Sequence, residues 1–452
     1  MPAPESAPRT LLAGWGRTAP SAATVVAAGP ADVARLVTGA GERGLIARGL
    51  GRSYGDAAQS AGGTVLDPLP ASYVVDPAAG TLTASAGTTF EALVRDLLPQ
   101  GWFVPVTPGT RQVTLGGAIA CDVHGKNHHR SGSLGHHVRS LTLVDGTGTT
   151  RVVGPDGDDA DLFWATVGGM GLTGVVLEAT LDLLPVETGW MSVDTSRLPD
   201  LDAVMAVMRE ADRTHTYSVA WIDTLAGGRR LGRSVLTTGE HASRAALAGT
   251  AAHDPQRVPG GPLLRVPPVV PPGLVTRASV RAFNEVWFRK APRQRTGELQ
   301  PVATFFHPLD GVADWNRLYG PRGFVQYQLV VPDAAHETVR RVLERVVRAG
   351  HPSFLSVLKR LGPGNPGMLS FPDAGWTLAL DLPVHPGLRT LFAALDEEVV
   401  AAGGRVYLAK DARVPARLLP AMYPRLAEFR EVRERLDPHH VLRSDLSRRL
   451  GL

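Results

Sequence analysis

Apolar residues recur at helical spacing in Phe90, Leu93, Val94 and Leu97, and Thr88 and Glu91 have the spacing of a capping box, so the pattern predicts a helix here. Pro99 and Gly101 mark its end. Val33, Leu36 and Val37 predict another within PADVARLVTGAGER (30–43). Around these helices the period falls to two. LIARGLGRSYGD (45–56) runs from a short apolar strand into a glycine loop. TVLDPL and YVVDPAAGTLTASAG predict strands about an Asp-Pro turn, with Thr81, Thr83 and Ser85 alternating against Leu82 and Ala84. Residues 140–154 read as a hairpin turning at Asp145-Gly146, residues 161–168 as a short helix, and residues 174–186 as a long alternating strand. No regular strand–helix–strand rhythm and no internal repeat emerges.

From about residue 189 the texture changes. Residues 198–213 and 334–349 are helix-like, the second with Val339, Val342, Val346 and Val347 on one face, while VQYQLVVP (325–332) and GWTLALDLPV (375–384) are strands. Helices alternating with antiparallel strands predict an α+β second domain. The stretch 253–275 is rich in proline and apolar residues without a period. A mobile loop is expected there, greasier than a linker needs to be. GGRVYLAKDARVP predicts a strand and a loop, and RLDPHHVLRSDLSRRLGL a Pro-marked turn and a basic helix.

A length of 452 residues suits two domains, and 44% hydrophobic with 20% charged residues is the composition of an ordinary globular protein. No run of eighteen apolar residues offers a spanning helix, and MPAPESAPRTLLAGWGRT lacks the basic start and apolar middle of a secretory leader. The net charge of +4 is spread over scattered pairs such as Arg229-Arg230 and Arg448-Arg449, not the clustered runs of a nucleic-acid binder. A lone cysteine, Cys121, excludes an intrachain disulfide and any multi-cysteine zinc site. Lysine usage is more informative: of 47 basic residues only Lys126, Lys290, Lys359 and Lys410 are lysine. In a chain that uses arginine elsewhere, a retained lysine can mark a place for a deprotonatable amine or a compact charge.

Chemistry concentrates in residues 105–140, PVTPGTRQVTLGGAIACDVHGKNHHRSGSLGHHVRS. Gly109, Gly116, Gly117, Gly125, Gly132 and Gly135 leave backbone bare for a ligand, and His124, His128, His129, His136, His137 and Lys126 sit on it. A plain loop with solvated histidines is the bland alternative. His124 and His128 stand four apart, but no carboxylate or cysteine set completes a metal shell. GMGLTG (169–174) matches a dinucleotide fingerprint by letter, yet a strand and not a helix follows it. GLGRSYG (49–55) remains a plausible phosphate cradle, since successive N–H groups in a glycine loop form an anion nest.

RGLGRSYGD, PGTRQVTLGGAIACDVHGKNHH, FWATVGGMGLTG, FHPLDGVADWNRLYGP, FVQYQLVVP and the AKDAR loop together resemble the flavin-dependent oxidoreductases of the vanillyl-alcohol oxidase superfamily. The likeness runs from GWGRTAP (14–20) to SDLSRRL (444–450), and is closer still to the actinobacterial members that act on polyprenyl phosphosugars. It implies the two-domain α+β FAD-linked oxidase fold. Residues 1–188 and 405–452 would form a PCMH-type FAD-binding domain, and residues 189–404 an inserted antiparallel-sheet substrate domain. It implies FAD-dependent oxidation of the ribose 2′-hydroxyl of a polyprenyl phosphosugar to a ketone, the first half of epimerisation to an arabinose donor for cell-wall arabinan. A separate NADH- or NADPH-dependent reductase would follow, with the protein peripheral at the plasma membrane. The proline-rich stretch would then be a flap admitting the lipid tail. Another alcohol or aldonolactone oxidase of the superfamily, or a non-catalytic polyprenyl-phosphate binding module, are the alternatives.

The same resemblance assigns residues. Cofactor contacts are expected from Arg48, Gly49, Leu50, Gly51, Arg52, Ser53, Tyr54 and Gly55 in the first loop. In the central stretch they are Pro108, Gly109, Thr110, Gly116, Gly117, Ala118, Cys121, Asp122, Gly125, Asn127 and His128, with Gly171, Gly174, Val175 and Tyr407 beyond it. Substrate contacts are expected from Tyr54, Lys126, Trp221, Phe306, Gln326, Gln328, Lys359, Thr377 and Ala379. Lys410 is the first candidate for the proton acceptor, because desolvation beside a flavin lowers an amine's pKa, and His124 is the second, as orienter or base. Arg52 stands where linked members carry a histidine, so FAD is expected to bind without a covalent bond. Ala379 stands where mycobacterial members carry a cysteine, and Cys121, beside Ile119 and Ala120, is expected to be buried and inert.

Overall fold

The computed structural model describes residues 8–271 and 273–452; the expectation about a secretory leader falls in part on residues 1–7, which lie outside the described residues. The helix Phe90–Leu97 buries Phe90, Leu93, Val94 and Leu97, as its spacing requires. Its cap is Thr89, whose side chain accepts from the Ala92 N–H, and Thr88 instead exchanges hydrogen bonds with the backbone of Ser72. The capping-box reading is thus one residue early, since the first helical residue is Phe90. The helix lies beside a five-stranded antiparallel sheet in the order Tyr73–Asp76, Thr81–Ser85, Val175–Asp182, Val138–Val144, Thr150–Val153. Thr81–Ser85 is second in that sheet and buries Thr81 and Ser85 as well as Leu82 and Ala84, so its alternation does not separate wet from dry.

A four-stranded mixed sheet carries Arg9–Leu12, Ser21–Val26, Thr64–Leu66 and Leu45–Ala47 in that order. The end of the chain returns to it. Leu45 N–H donates to Val441 and Arg443 N–H to Leu45, while the Asp445 carboxylate accepts from Ser21 and the Ala61 N–H. Arg449 forks onto Asp56 at 2.8 and 2.9 Å, the bidentate geometry in which a guanidinium matches a carboxylate.

The largest element is an eight-stranded antiparallel sheet in the order Gln294–Pro301, Trp190–Leu198, Ser234–His241, Tyr217–Ile222, Ser356–Leu361, Gly375–Pro383, Phe324–Pro332, Arg405–Val406. Its period of two sorts side chains to opposite faces. Tyr327, Leu329, Leu358, Leu378 and Leu380 share the face under the helices Leu201–Thr214, Glu337–Ala349 and Leu388–Ala401. There Tyr327 stacks on Phe392 at 5.1 Å and donates to Asp396. On the other face the register sets Gln326 opposite Asp381, Gln328 opposite Ala379, Lys359 opposite Thr377, and Trp221 opposite Val357. That face is turned toward the N-terminal part, and a one-residue slip would bury it among the helices.

The stretch 253–275 is not wholly irregular. Leu264–Arg265 pairs in parallel with Val312–Ala313, and Val266 and Val270 are buried. A helix follows at Arg277–Lys290 that no inward apolar stripe announces, because it buries only Val280 and Asn284.

Candidate active site

The strand Leu45–Ala47 runs into RGLGRSYGD. Arg48 N–H donates to Leu66 and Tyr54 N–H to Ala409, but the five N–H groups between them, Gly49 to Ser53, meet no acceptor among the described residues. Such a row forms an anion nest. Gly51 has φ +63°, and a Cβ there would stand 2.3 Å from the Arg48 guanidinium. Gly55 lies so close to Asp411 that a Cβ would come within 2.0 Å of its carbonyl oxygen. Arg48 itself holds the carbonyls of Ala58 and Ala13, so it braces the loop from behind instead of facing a ligand. The Arg52 guanidinium lies 4.0 Å over the Trp15 ring, and Leu50 is exposed.

The central stretch corrects several expectations. Leu115–Ala120 is a short helix capped by Thr114, and its glycine N–H groups are already used, Gly116 by Ala86 and Gly117 by Thr114 Oγ1. Gly116 is needed for packing, since a Cβ there would meet Ala86 Cβ at 2.8 Å. Gly174 likewise lies against Leu143, leading into the buried Val175, and Gly125 against Asn127 and the Thr107 carbonyl. Gly171, at φ +77°, shapes the turn before that strand. Asp122 receives Ser133 Oγ at 2.8 Å, Gly135 N–H at 2.9 Å, Asn365 at 2.8 Å and the Ser370 hydroxyl, so its carboxylate ties loops together. Thr110 is bound by Asp310, and the Asn127 amide by Pro105. Pro108 and Gly109 border open space; a Cβ on Gly109 would meet nothing within 4 Å.

The histidines divide. His129, His136 and His137 bond nearby backbone, and His128 accepts from the Gly362 N–H at 3.1 Å while burial holds it down at about 3. His124 faces inward between Phe371 and Tyr407. The Gln328 amide nitrogen stands 3.0 Å from His124 Nε2 and 3.3 Å from Thr377 Oγ1. Nε2 therefore accepts, and Nδ1, which has no partner among the described residues, carries the proton. Burial, reinforced by Lys359, pushes His124 well below its ordinary value, so the ring is neutral. Among the described residues no cluster of three His, Cys, Asp or Glu could hold a metal.

Three of the four lysines meet on this face. Lys410 Nζ lies 4.0 Å over the Tyr54 ring. Lys126 donates to the Phe305 carbonyl and sits 4.3 Å over its ring. Burial lowers Lys126 and Lys359 to about 7, each further depressed by a neighbouring lysine, and lowers Lys410 to about 8 against the pull of Asp381. Burial in turn raises Asp381, whose Oδ1 accepts from Gln326 and whose Oδ2 has no partner among the described residues. Asp381 is absent from the sequence-based site. Its signal is parity: it is the one carboxylate in GWTLALDLPV and alternates with Thr377 and Ala379.

Two expected substrate contacts are engaged within the protein. Phe306 is 2% exposed and packed among Phe103, Tyr217 and His241, so it builds the wall and offers no ligand surface. Trp221 stands on the site face but gives its indole N–H to the Phe354 carbonyl at 3.0 Å. Cys121 is also corrected: it is half-buried, 3.8 Å from Ser53 Oγ, with its carbonyl receiving the Tyr407 hydroxyl at 2.7 Å. Of the apolar neighbours, Ile119 turns to the core but Ala120 is half-buried like Cys121 at the helix end; desolvation nonetheless pushes the thiol's pKa up.

Five unpartnered N–H groups, bare glycine surface at Gly109, and an adjoining face of lysines fit a long dianionic cofactor with a flat ring. Fold and site together define an FAD-dependent oxidoreductase with a PCMH-type FAD-binding domain. Residues 21–154 match the family model for the FAD binding domain, and residues 380–450 that for D-arabinono-1,4-lactone oxidase. The chain is 44% identical, over 98% of its length and 97% of the relative's, to the decaprenylphosphoryl-β-D-ribose oxidase of Mycolicibacterium smegmatis. It is 26% identical to an alditol oxidase of a Streptomyces species, over 87% and 88% of the two chains. The chain belongs to the decaprenylphosphoryl-β-D-ribose oxidase family of FAD-linked oxidases.

Proposed function

We propose that the protein oxidises the 2′-hydroxyl of decaprenylphosphoryl-β-D-ribose to the ketone, with FAD held non-covalently. The observation that carries this reading is the convergence of Lys126, Lys359 and Lys410 on one enclosed face with Asp381 as the facing carboxylate. Desolvated ammonium groups that depress one another lack counter-charge, and a phosphate ester supplies it where a free polyol does not. The substrate is the one that names the Mycolicibacterium relative.

In this reading residues 1–188 and 405–452 hold the cofactor and residues 189–404 the substrate. FAD, when bound, would supply the two-electron oxidation at C2′. Lys410 accepts the hydroxyl proton, and Asp381 offsets the charge that Lys410 then gains. His124, with Nε2 fixed by Gln328, can only donate from Nδ1, so it orients the sugar and is not the base. Lys359 and Lys126 face the phosphate. The ketone then passes to a separate NAD(P)H-dependent reductase, completing epimerisation to the arabinose donor, with the oxidase peripheral at the membrane.

The test is anaerobic flavin absorbance. Farnesylphosphoryl ribose should bleach the bound chromophore, while free sugar alcohols and aldonolactones should not. Bleaching by those alone would reassign the protein as an alditol or aldonolactone oxidase, and tight phospholipid binding without bleaching would leave a binding module. Acid precipitation should release all the flavin into the supernatant; a yellow pellet would contradict the non-covalent reading.

A further inference from the structure

Thirteen large apolar residues stand exposed among the described residues, and eight of them fall between Val258 and Trp287. Leu263 is 88% exposed, Val269 85% and Leu264 68%, far beyond the scattered apolar residues of an ordinary surface. Charge gathers in the same place. Residues 257–295 hold eight of the chain's 47 Lys and Arg and one of its 43 Asp and Glu, so this segment carries +7 and the remainder of the chain −3.

The helix Arg277–Lys290 is inverted. It is pinned to the body by polar groups: Asn284 donates to the buried Asp223 at 2.7 Å, and Glu285 pairs with Arg233 at 2.7 Å. Two of its three aromatic residues face out instead, Phe283 stacked on Trp287 at 6.0 Å beside the exposed Val286, while Phe288 lies half-buried under Arg233. From Phe283 a ladder of rings leads inward, to Phe354 at 5.9 Å, Tyr319 at 5.5 Å, Phe324 at 4.2 Å and Tyr54 at 5.3 Å, where Lys410 lies. The outward face is continuous with the wall of the site.

We infer that the exposed loop around Leu263–Val269 and the outer face of Arg277–Lys290 form one docking surface for a bilayer rich in anionic lipid. Aromatic and aliphatic tips enter the headgroup boundary, and arginine and lysine reach the lipid phosphates from its rim. The charge complementarity selects an anionic bilayer over a neutral one. This deepens the reading of a lipid-linked substrate by stating where the molecule meets the membrane, and it is measured without any substrate.

The test uses the full-length holoenzyme with phosphatidylcholine vesicles, with and without phosphatidylglycerol. The protein should sediment with the mixed vesicles and release as salt rises. Leu263→Ser with Leu264→Ser, and separately Arg281→Glu with Lys290→Glu, should each weaken binding about tenfold or more. Flavin content and bleaching by a short-chain soluble substrate should stay unchanged, since none of these residues touches the site. Undiminished binding of both variants, no binding to either vesicle, or a solution dimer that the same substitutions dissociate would overturn the proposal. If vesicle binding holds while farnesylphosphoryl ribose leaves the flavin oxidised, the substrate reading fails and the docking surface stands.

Discussion

The two sides of the site are made of different material. On the loop 49–53 the backbone carries the chemistry, with five N–H groups in a row and side chains that brace or point away. On the face of the eight-stranded sheet, and on Lys410 beside it, side chains carry it, through parity and burial. A backbone site is sensitive to where a Cβ can go and tolerant of what the side chain is. A side-chain site is the reverse.

The largest effect should come from the side-chain half. Lys410→Met is expected to keep FAD and to slow substrate-driven flavin reduction by about 10²–10⁴, the range of general-base catalysis. Lys410→Arg should be almost as slow, because guanidinium stays protonated near neutral pH. The sign of the pH dependence follows: a base with a pKa near 8 is neutral above it, so the wild-type reduction rate should rise through pH 8 to a plateau, and the rise should vanish in Lys410→Met. Normal turnover by the arginine variant would mean that this position acts by charge alone.

The backbone half is tested by two alanines. Gly51→Ala puts a Cβ at φ +63° and against Arg48, so it should weaken FAD binding by about tenfold, in line with ~1–2 kcal/mol for a left-handed non-glycine residue. Gly116→Ala meets only Ala86, so it should lower thermal stability by about 1–3 kcal/mol of overpacking while FAD titrates as in wild type. If Gly116→Ala lost the cofactor and Gly51→Ala kept it, the backbone donors would lie on the helix 115–120 after all.

The smallest effect concerns thiols. Cys121 borders the cleft and its pKa is raised, so a maleimide should label the apoprotein slowly and the holoenzyme still more slowly. Ala379→Cys puts a second thiol on the half-buried centre of the sheet face and should add one equivalent of label that substrate protects. Equal labelling of Cys121 with and without FAD would remove it from the cofactor side. A nitroaromatic inhibitor that turns electrophilic on reduction is expected to leave wild-type mass unchanged and to add to Ala379→Cys.

Much of this was legible along the chain, because it rests on local periodicity. The helices at 90, 201 and 337 and the strands at 324 and 375 follow from spacings of 3.6 and 2, and the scarcity of lysine singles out Lys126, Lys290, Lys359 and Lys410, of which Lys290 lies away from the site on an exposed helix end. Local pattern also set Gln326 and Gln328 on one face, and, had parity been followed along the next strand, Asp381 with them. Tertiary structure alone decided which glycines keep free N–H groups: those of 49–53 and of 115–120 look alike in sequence, but Ala86 and Thr114 take the N–H groups of Gly116 and Gly117 and leave those of Gly49 and Gly51 free among the described residues. It also decided that Asp122 is saturated by Ser133, Gly135, Asn365 and Ser370, and that Arg48 turns to Ala58 and Ala13. The physical reason is the same each time. A residue's type states what it can bond, while its partner is chosen by chain that arrives from tens or hundreds of residues away.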